Sequence, residues 1–106
     1  MLPLIDTHQH LWDLSRLELP WTGGIPQLNR SFLMSDYLQA SEGQKVSKTV
    51  YMEVDVHPDH RQREVEIISE ICSDASNPMQ AAVFCAEPGG VDFEPFLENN
   101  QNNPWI

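Results

Sequence analysis

The sequence predicts an α/β fold with a parallel sheet, and three observations carry that expectation. Segments with strand character at 3–10, 48–56 and 79–86 alternate with helical segments at 35–42, 59–74 and 92–98. Strands that alternate with helices pair in parallel through right-handed crossovers. Hydrophobic residues make up 41% of the 106-residue chain, enough to cover such a sheet and too many for wholesale disorder. That length corresponds to one domain or part of one.

The first strand starts apolar at Leu4 and Ile5 and turns polar at Asp6. Residues 13–34 then read as a long irregular loop, broken by Pro20, Gly23, Gly24 and Pro26 and flanked or studded by Trp12, Trp21 and Phe32. Loops of this length inside a compact domain are often functional. The next helix has Ser35 as a cap, Asp36 near its positive end and Gly43 to close it. The second strand is dense in β-formers: Thr49, Val50, Tyr51, Val54 and Val56. Residues 59–74 give the clearest helix, with Val65, Ile68 and Cys72 on one stripe and Ile67 and Ile71 beside it. Asn77-Pro78 breaks the chain, the third strand is nearly all apolar, and Glu87-Pro88-Gly89-Gly90 ends it. Phe93, Phe96 and Leu97 mark one side of a last helix, and the polar tail 99–106 is expected to be disordered.

Charge excludes some functions. Sixteen acidic against six basic residues give a net charge of −10, a poor match to nucleic acid or an anionic membrane. No apolar run approaches the roughly 20 residues of a membrane span. The first residues lack the basic flank of a signal peptide and meet Asp6 at once, so a cytoplasmic protein is expected. Cys72 and Cys85 fit no disulfide framework and read as reduced core residues.

The main chemical signal is Asp6-Thr7-His8-Gln9-His10. Side chains two apart on a strand share a face, so Asp6, His8 and His10 are expected to line up. Two imidazoles at that spacing can reach one metal ion. They stand at the C-terminal end of the strand, where ligands bind in parallel α/β folds. The bland alternative is two strand histidines hydrogen-bonded to their neighbours. In the second strand, alternation sets Val50, Met52, Val54 and Val56 towards the helices, and Tyr51, Glu53, Asp55 and His57 towards the catalytic mouth. A buried polar row is costly without a cation or partners, so Glu53 is the residue expected to contact substrate or support the metal. The alternative is an edge strand with a wet face. His57 and His60 read as exposed loop residues around Asp59, itself a candidate helix cap, and Glu87 reads equally as a site or a surface residue. Gly-rich phosphate loops, nucleophile elbows and CxxC pairs are absent from the sequence.

The stretch Ile5-Asp6-Thr7-His8-Gln9-His10-Leu11-Trp12-Asp13 resembles the opening of the amidohydrolase-related family (amidohydrolase 2), on its sugar-lactonase-like branch. Leu19-Pro20-Trp21, Leu28-Asn29-Arg30-Ser31-Phe32 and Glu53-Val54-Asp55 also look like that branch, so the likeness covers roughly residues 3–98. The resemblance implies a (β/α)8 TIM barrel holding a divalent metal, commonly zinc, which activates water and polarises a substrate carbonyl. It implies His8 and His10 as the first two ligands, with a further His and an Asp base on later strands. A full barrel takes roughly 250 residues. Residues 1–106 would then be its N-terminal part, an incomplete set of three βα units.

Two functional readings follow. One is a metal-dependent hydrolase of a cyclic ester, a small-molecule substrate met in the complete barrel, with metal-dependent decarboxylation as a sister reaction. The other is a catalytically inactive fragment. Trp12, Trp21 and Arg30 would suit a polyhydroxylated or anionic substrate, although packing of the two Trp residues is an equal alternative. Three strands cannot close into a barrel, so an open apolar strand edge and self-association through it are expected.

Overall fold

A computed structural model of the chain describes residues 2–106. Three strands, β1 (Leu4–Gln9), β2 (Val46–Met52) and β3 (Met79–Val83), alternate with helices α1 (Met34–Ala40), α2 (Arg61–Ser73) and α3 (Phe93–Asn100). The strands form one sheet in the order β1-β2-β3, and both pairings are parallel. No helix among the described residues is long and apolar enough to cross a membrane.

Register decides which side chains face the helices. Thr49 and Tyr51 of β2 are fully buried. The Tyr51 hydroxyl donates to Glu64 Oε2 on α2 at 2.7 Å, so this is the helix-covered face. Met79 and Ala82 of β3 stand opposite Thr49 and Tyr51 and are buried with them. The expectation for β2 is therefore inverted within the strand: Tyr51 lies under α2, while Val50 and Met52 belong to the less covered face. Period-two alternation separates two faces without naming the inner one. A buried tyrosine needs an acceptor, and α2 supplies it. Val54 and Val56 are still buried, because β2 ends at Met52 and the chain turns at Asp55, whose φ is +51°.

The long loop is a folded lobe. Leu11, Trp12, Leu17 and Leu19 enter the core beside Tyr51, Val54 and Ile68. Trp12 and Phe32 form an antiparallel bridge, with N–H to O distances of 3.0 and 2.8 Å. A 3₁₀ turn, Pro20–Gly24, is held by Thr22, whose hydroxyl donates to Leu19 O at 2.9 Å. Proline and glycine thus break long elements here without preventing a compact lobe. At α1 the helix begins one residue before Ser35, and Leu33 N–H donates to Asp36 Oδ2 at 2.7 Å, so the Asp36 carboxylate does the capping expected of Ser35. A 3₁₀ turn over Pro58–His60 leads into α2, and the His57 ring accepts from Asp59 N–H.

The tail makes specific contacts with the rest of the chain. Most of residues 99–106 are exposed, but Asn100 is buried and exchanges hydrogen bonds with Gln62, at 3.2 and 2.8 Å. Ala82 N–H donates to Trp105 O at 2.8 Å, and the Trp105 ring packs on the core. Asn side chains supply the specific partners that a reading of bulk polarity overlooks.

Among the described residues the outer edge of β1 is unpaired, whereas that of β3 is met in part by the tail through Ala82 N–H and Trp105 O. β1 and β3 each pair only with β2. Apolar side chains stand exposed there, Ile5 at 61% and Val83 at 47%. Both cysteines are free; Cys72 is buried in α2 and Cys85 is half-buried after β3.

Candidate functional site

The site is built on a bulge at the C-terminal end of β1. Asp6 pairs with Thr49 and Gln9 with Tyr51, so β1 advances three residues while β2 advances two. One extra residue flips the alternation. Asp6 and Gln9 therefore share the helix-covered face and both meet α1. The Tyr37 hydroxyl donates to Asp6 Oδ2 at 2.8 Å, and Gln9 Nε2 approaches Met34 Sδ at 3.7 Å. Asp6 consequently does not line up with His8 and His10 as simple alternation predicts. It reaches His8 another way, because its Oδ1 accepts the His8 backbone N–H at 3.0 Å.

His8 and His10 are exposed, and their rings meet edge to face with centroids 4.8 Å apart. His10 Nδ1 lies 2.9 Å from Met52 O. A carbonyl oxygen can only accept, so in the neutral ring Nδ1 carries the proton and Nε2 keeps a free lone pair. A backbone carbonyl that orients one ring nitrogen is the usual support for a metal-ligating histidine. The donor set thus fits a divalent ion in part. Two imidazole nitrogens are on hand, whereas no group of three or more His, Cys, Asp or Glu able to hold a metal is found among the described residues.

A cleft of about 480 Å³ opens beside His10, walled by Trp12, Trp21, Leu28, Glu53 and Asp55. Glu53 is half-buried and its Oε2 accepts Asp55 N–H at 2.6 Å. His10 and Glu53 therefore share one cleft. Glu87 does not join them; it pairs with Arg61 at 2.7 Å beside a separate cleft near α3. His57 and His60 lie 5.8 Å apart between centroids, and His60 Nδ1 accepts Glu18 N–H at 2.9 Å, so they brace the lobe away from the paired His8 and His10. Arg30 lies over the Phe32 ring at 3.7 Å, outside the cleft lining.

The support that sequence reasoning missed is Glu64. It is 1% exposed, and its Oε2 accepts from the Tyr51 hydroxyl at 2.7 Å and from Val54 N–H at 3.2 Å. Burial pushes its carboxyl up, opposed by those two donors. Burial likewise pushes the Tyr51 hydroxyl up, reinforced by the charge of Glu64. At the carbonyl of the same residue, Val54 O accepts Trp21 Nε1–H at 2.8 Å. Val54 is thus clamped between α2 and the cleft lobe, next to Glu53. The available signal was spacing: Glu64 sits four residues before Ile68 and eight before Cys72, on the apolar stripe of α2.

Tyr37 yields a pH prediction. Its hydroxyl is pushed up from 10.0 to about 12, by burial first and then by Asp6. A folded pKa above the unfolded one favours the protonated fold. Stability held below pH 10 should therefore fall as pH rises towards about 12. Urea midpoints across that window should decline less steeply in Tyr37→Phe. An identical slope in both proteins would reject the assignment.

No protein-family model matches the chain. Over 66 residues it is 30% identical to the uncharacterized protein y4mH of Sinorhizobium fredii, a match covering 54% of this chain and 22% of that protein. Among solved structures it is similar to amidohydrolase 2 from Bifidobacterium longum subsp. infantis, with a TM-score of 0.66 and 28% identity over 79% of this chain. It spans 33% of that chain, so it corresponds to about a third of the solved relative and about a fifth of the curated one. The small α/β fold and its three-stranded parallel sheet are thus similar to an amidohydrolase, which supports a relationship to that hydrolase superfamily.

Proposed function

We propose that residues 1–106 form the N-terminal part of a (β/α)8 barrel and carry the first two metal ligands, His8 and His10, of a metal-dependent hydrolase acting on a sugar-lactone-like cyclic ester. One observation carries the reading: two imidazoles stand 4.8 Å apart at the C-terminal end of a parallel strand, and one has its Nε2 left free by a backbone carbonyl. The similarity to an amidohydrolase supports it. Zinc suits two imidazole donors, and when bound such an ion supplies a Lewis acid for water and for the ester carbonyl. In this reading, the Met52 carbonyl orients His10 and Asp6 holds the His8 backbone. Glu53 accepts a hydrogen bond from a substrate hydroxyl. Because only two ligands converge among the described residues, the general base and further ligands lie outside this set. The unpaired edge of β1 supports association with a further strand, including that of a second copy.

Zinc titration of the chain, followed calorimetrically, tests the reading. One site of micromolar affinity is expected, lost in both His8→Ala and His10→Ala. Lactone hydrolysis by the chain alone should stay at background. Zinc affinity unchanged in both variants would overturn the assignment.

A further inference from the structure

We infer that the exposed face of Trp21 is the substrate-ring platform of this site, and that the ring it takes is neutral and hydroxyl-rich. This deepens the proposed function and rests on it for a lactone carbonyl near His10. Trp21 is 36% exposed although it is a large aromatic, and it lines the cleft that holds His10 and Glu53. Its orientation is fixed twice. The indole N–H donates to Val54 O at 2.8 Å, and the Trp12 ring packs against it edge to face at 5.6 Å. An aromatic face held this firmly, with its polar atom already satisfied, offers only apolar contact to a ligand. The C–H face of a sugar ring provides the matching surface.

The charge of the cleft selects against an anion. Its charged lining residues are Glu53 and Asp55, and it contains no lysine or arginine among the described residues. Arg30, the nearby cation in sequence, is held on Phe32 and near Asp36 at 3.9 Å. Two carboxylates repel an acidic ligand and accept hydrogen bonds from hydroxyl groups. A closed lactone is neutral, whereas the opened acid carries a carboxylate. In the metal-free chain the subsite therefore favours the closed lactone over the opened acid.

Nitrogen-15 NMR of the metal-free chain tests this, with D-galactono-γ-lactone and D-galactonate as probes. The Trp21 indole signal is identified by its loss in Trp21→Phe. We expect the lactone to shift that signal and galactonate to leave it in place. Saturation transfer to the lactone should weaken about tenfold in Trp21→Ala and recover largely in Trp21→Phe, which keeps a stacking ring. An unmoved indole signal, an equal response to galactonate, or full transfer in a folded Trp21→Ala would overturn the inference. The zinc titration is separate: zinc bound without a lactone response removes this inference alone. A lactone response without zinc binding at His8 and His10 leaves the platform standing and removes the metal reading.

Discussion

Glu64→Ala is expected to destabilise the chain by about 3 kcal/mol, read as a lower urea midpoint at unchanged slope. The substitution strips the acceptor from two buried donors, the Tyr51 hydroxyl and Val54 N–H. Each orphaned donor loses its partner without regaining water, and a cavity adds to the cost. Glu64→Gln should cost much less, about 1 kcal/mol, because an amide oxygen still accepts and no charge is buried. The pH dependence separates the two effects. Burial raises the Glu64 carboxyl above its ordinary value of 4.5. The folded state then holds the proton more tightly, so the contribution of this residue declines as pH rises from 4.5 through the raised folded value. Glu64→Gln should flatten that decline. Equal losses for Ala and Gln, with the same pH slope, would show that the hydrogen bonds to Glu64 do not matter.

Trp12→Ala should destabilise by a similar or larger amount, about 3–5 kcal/mol, the range for truncating a buried large aromatic. Trp12 packs against Phe32 at 4.9 Å and Trp21 at 5.6 Å, and its Nε1–H donates to Arg30 O at 2.7 Å. It is the keystone between the end of β1 and the folded lobe. Near-UV circular dichroism should lose most of its tryptophan signal, and Trp12→Phe should restore part of the stability but not the bond to Arg30. A loss under about 1 kcal/mol would mean that the lobe packs without it.

Much of the architecture follows from local pattern. Alternating strand and helix segments lead to a parallel three-stranded sheet, and α2 buries the stripe of Val65, Ile68 and Cys72 that its periodicity marks. Spacing by two brings the rings of His8 and His10 together because a strand repeats every two residues. At the tail, the Asn100–Gln62 pair and the packing of Trp105 are contacts that average polarity does not specify.

Local pattern alone determined the order of elements, the apolar stripe of α2 and the adjacency of His8 to His10, since each depends on neighbours one helical or strand repeat away. Only the tertiary structure decided that Asp6 turns to Tyr37, that Tyr51 lies beneath α2, and that Glu64 braces the cleft through Val54. Those outcomes hang on a one-residue bulge and on partners 31, 13 and 10 positions apart. A backbone shift of one residue exchanges the two faces of a strand, and the free energy that places it comes from long-range packing and buried hydrogen bonds.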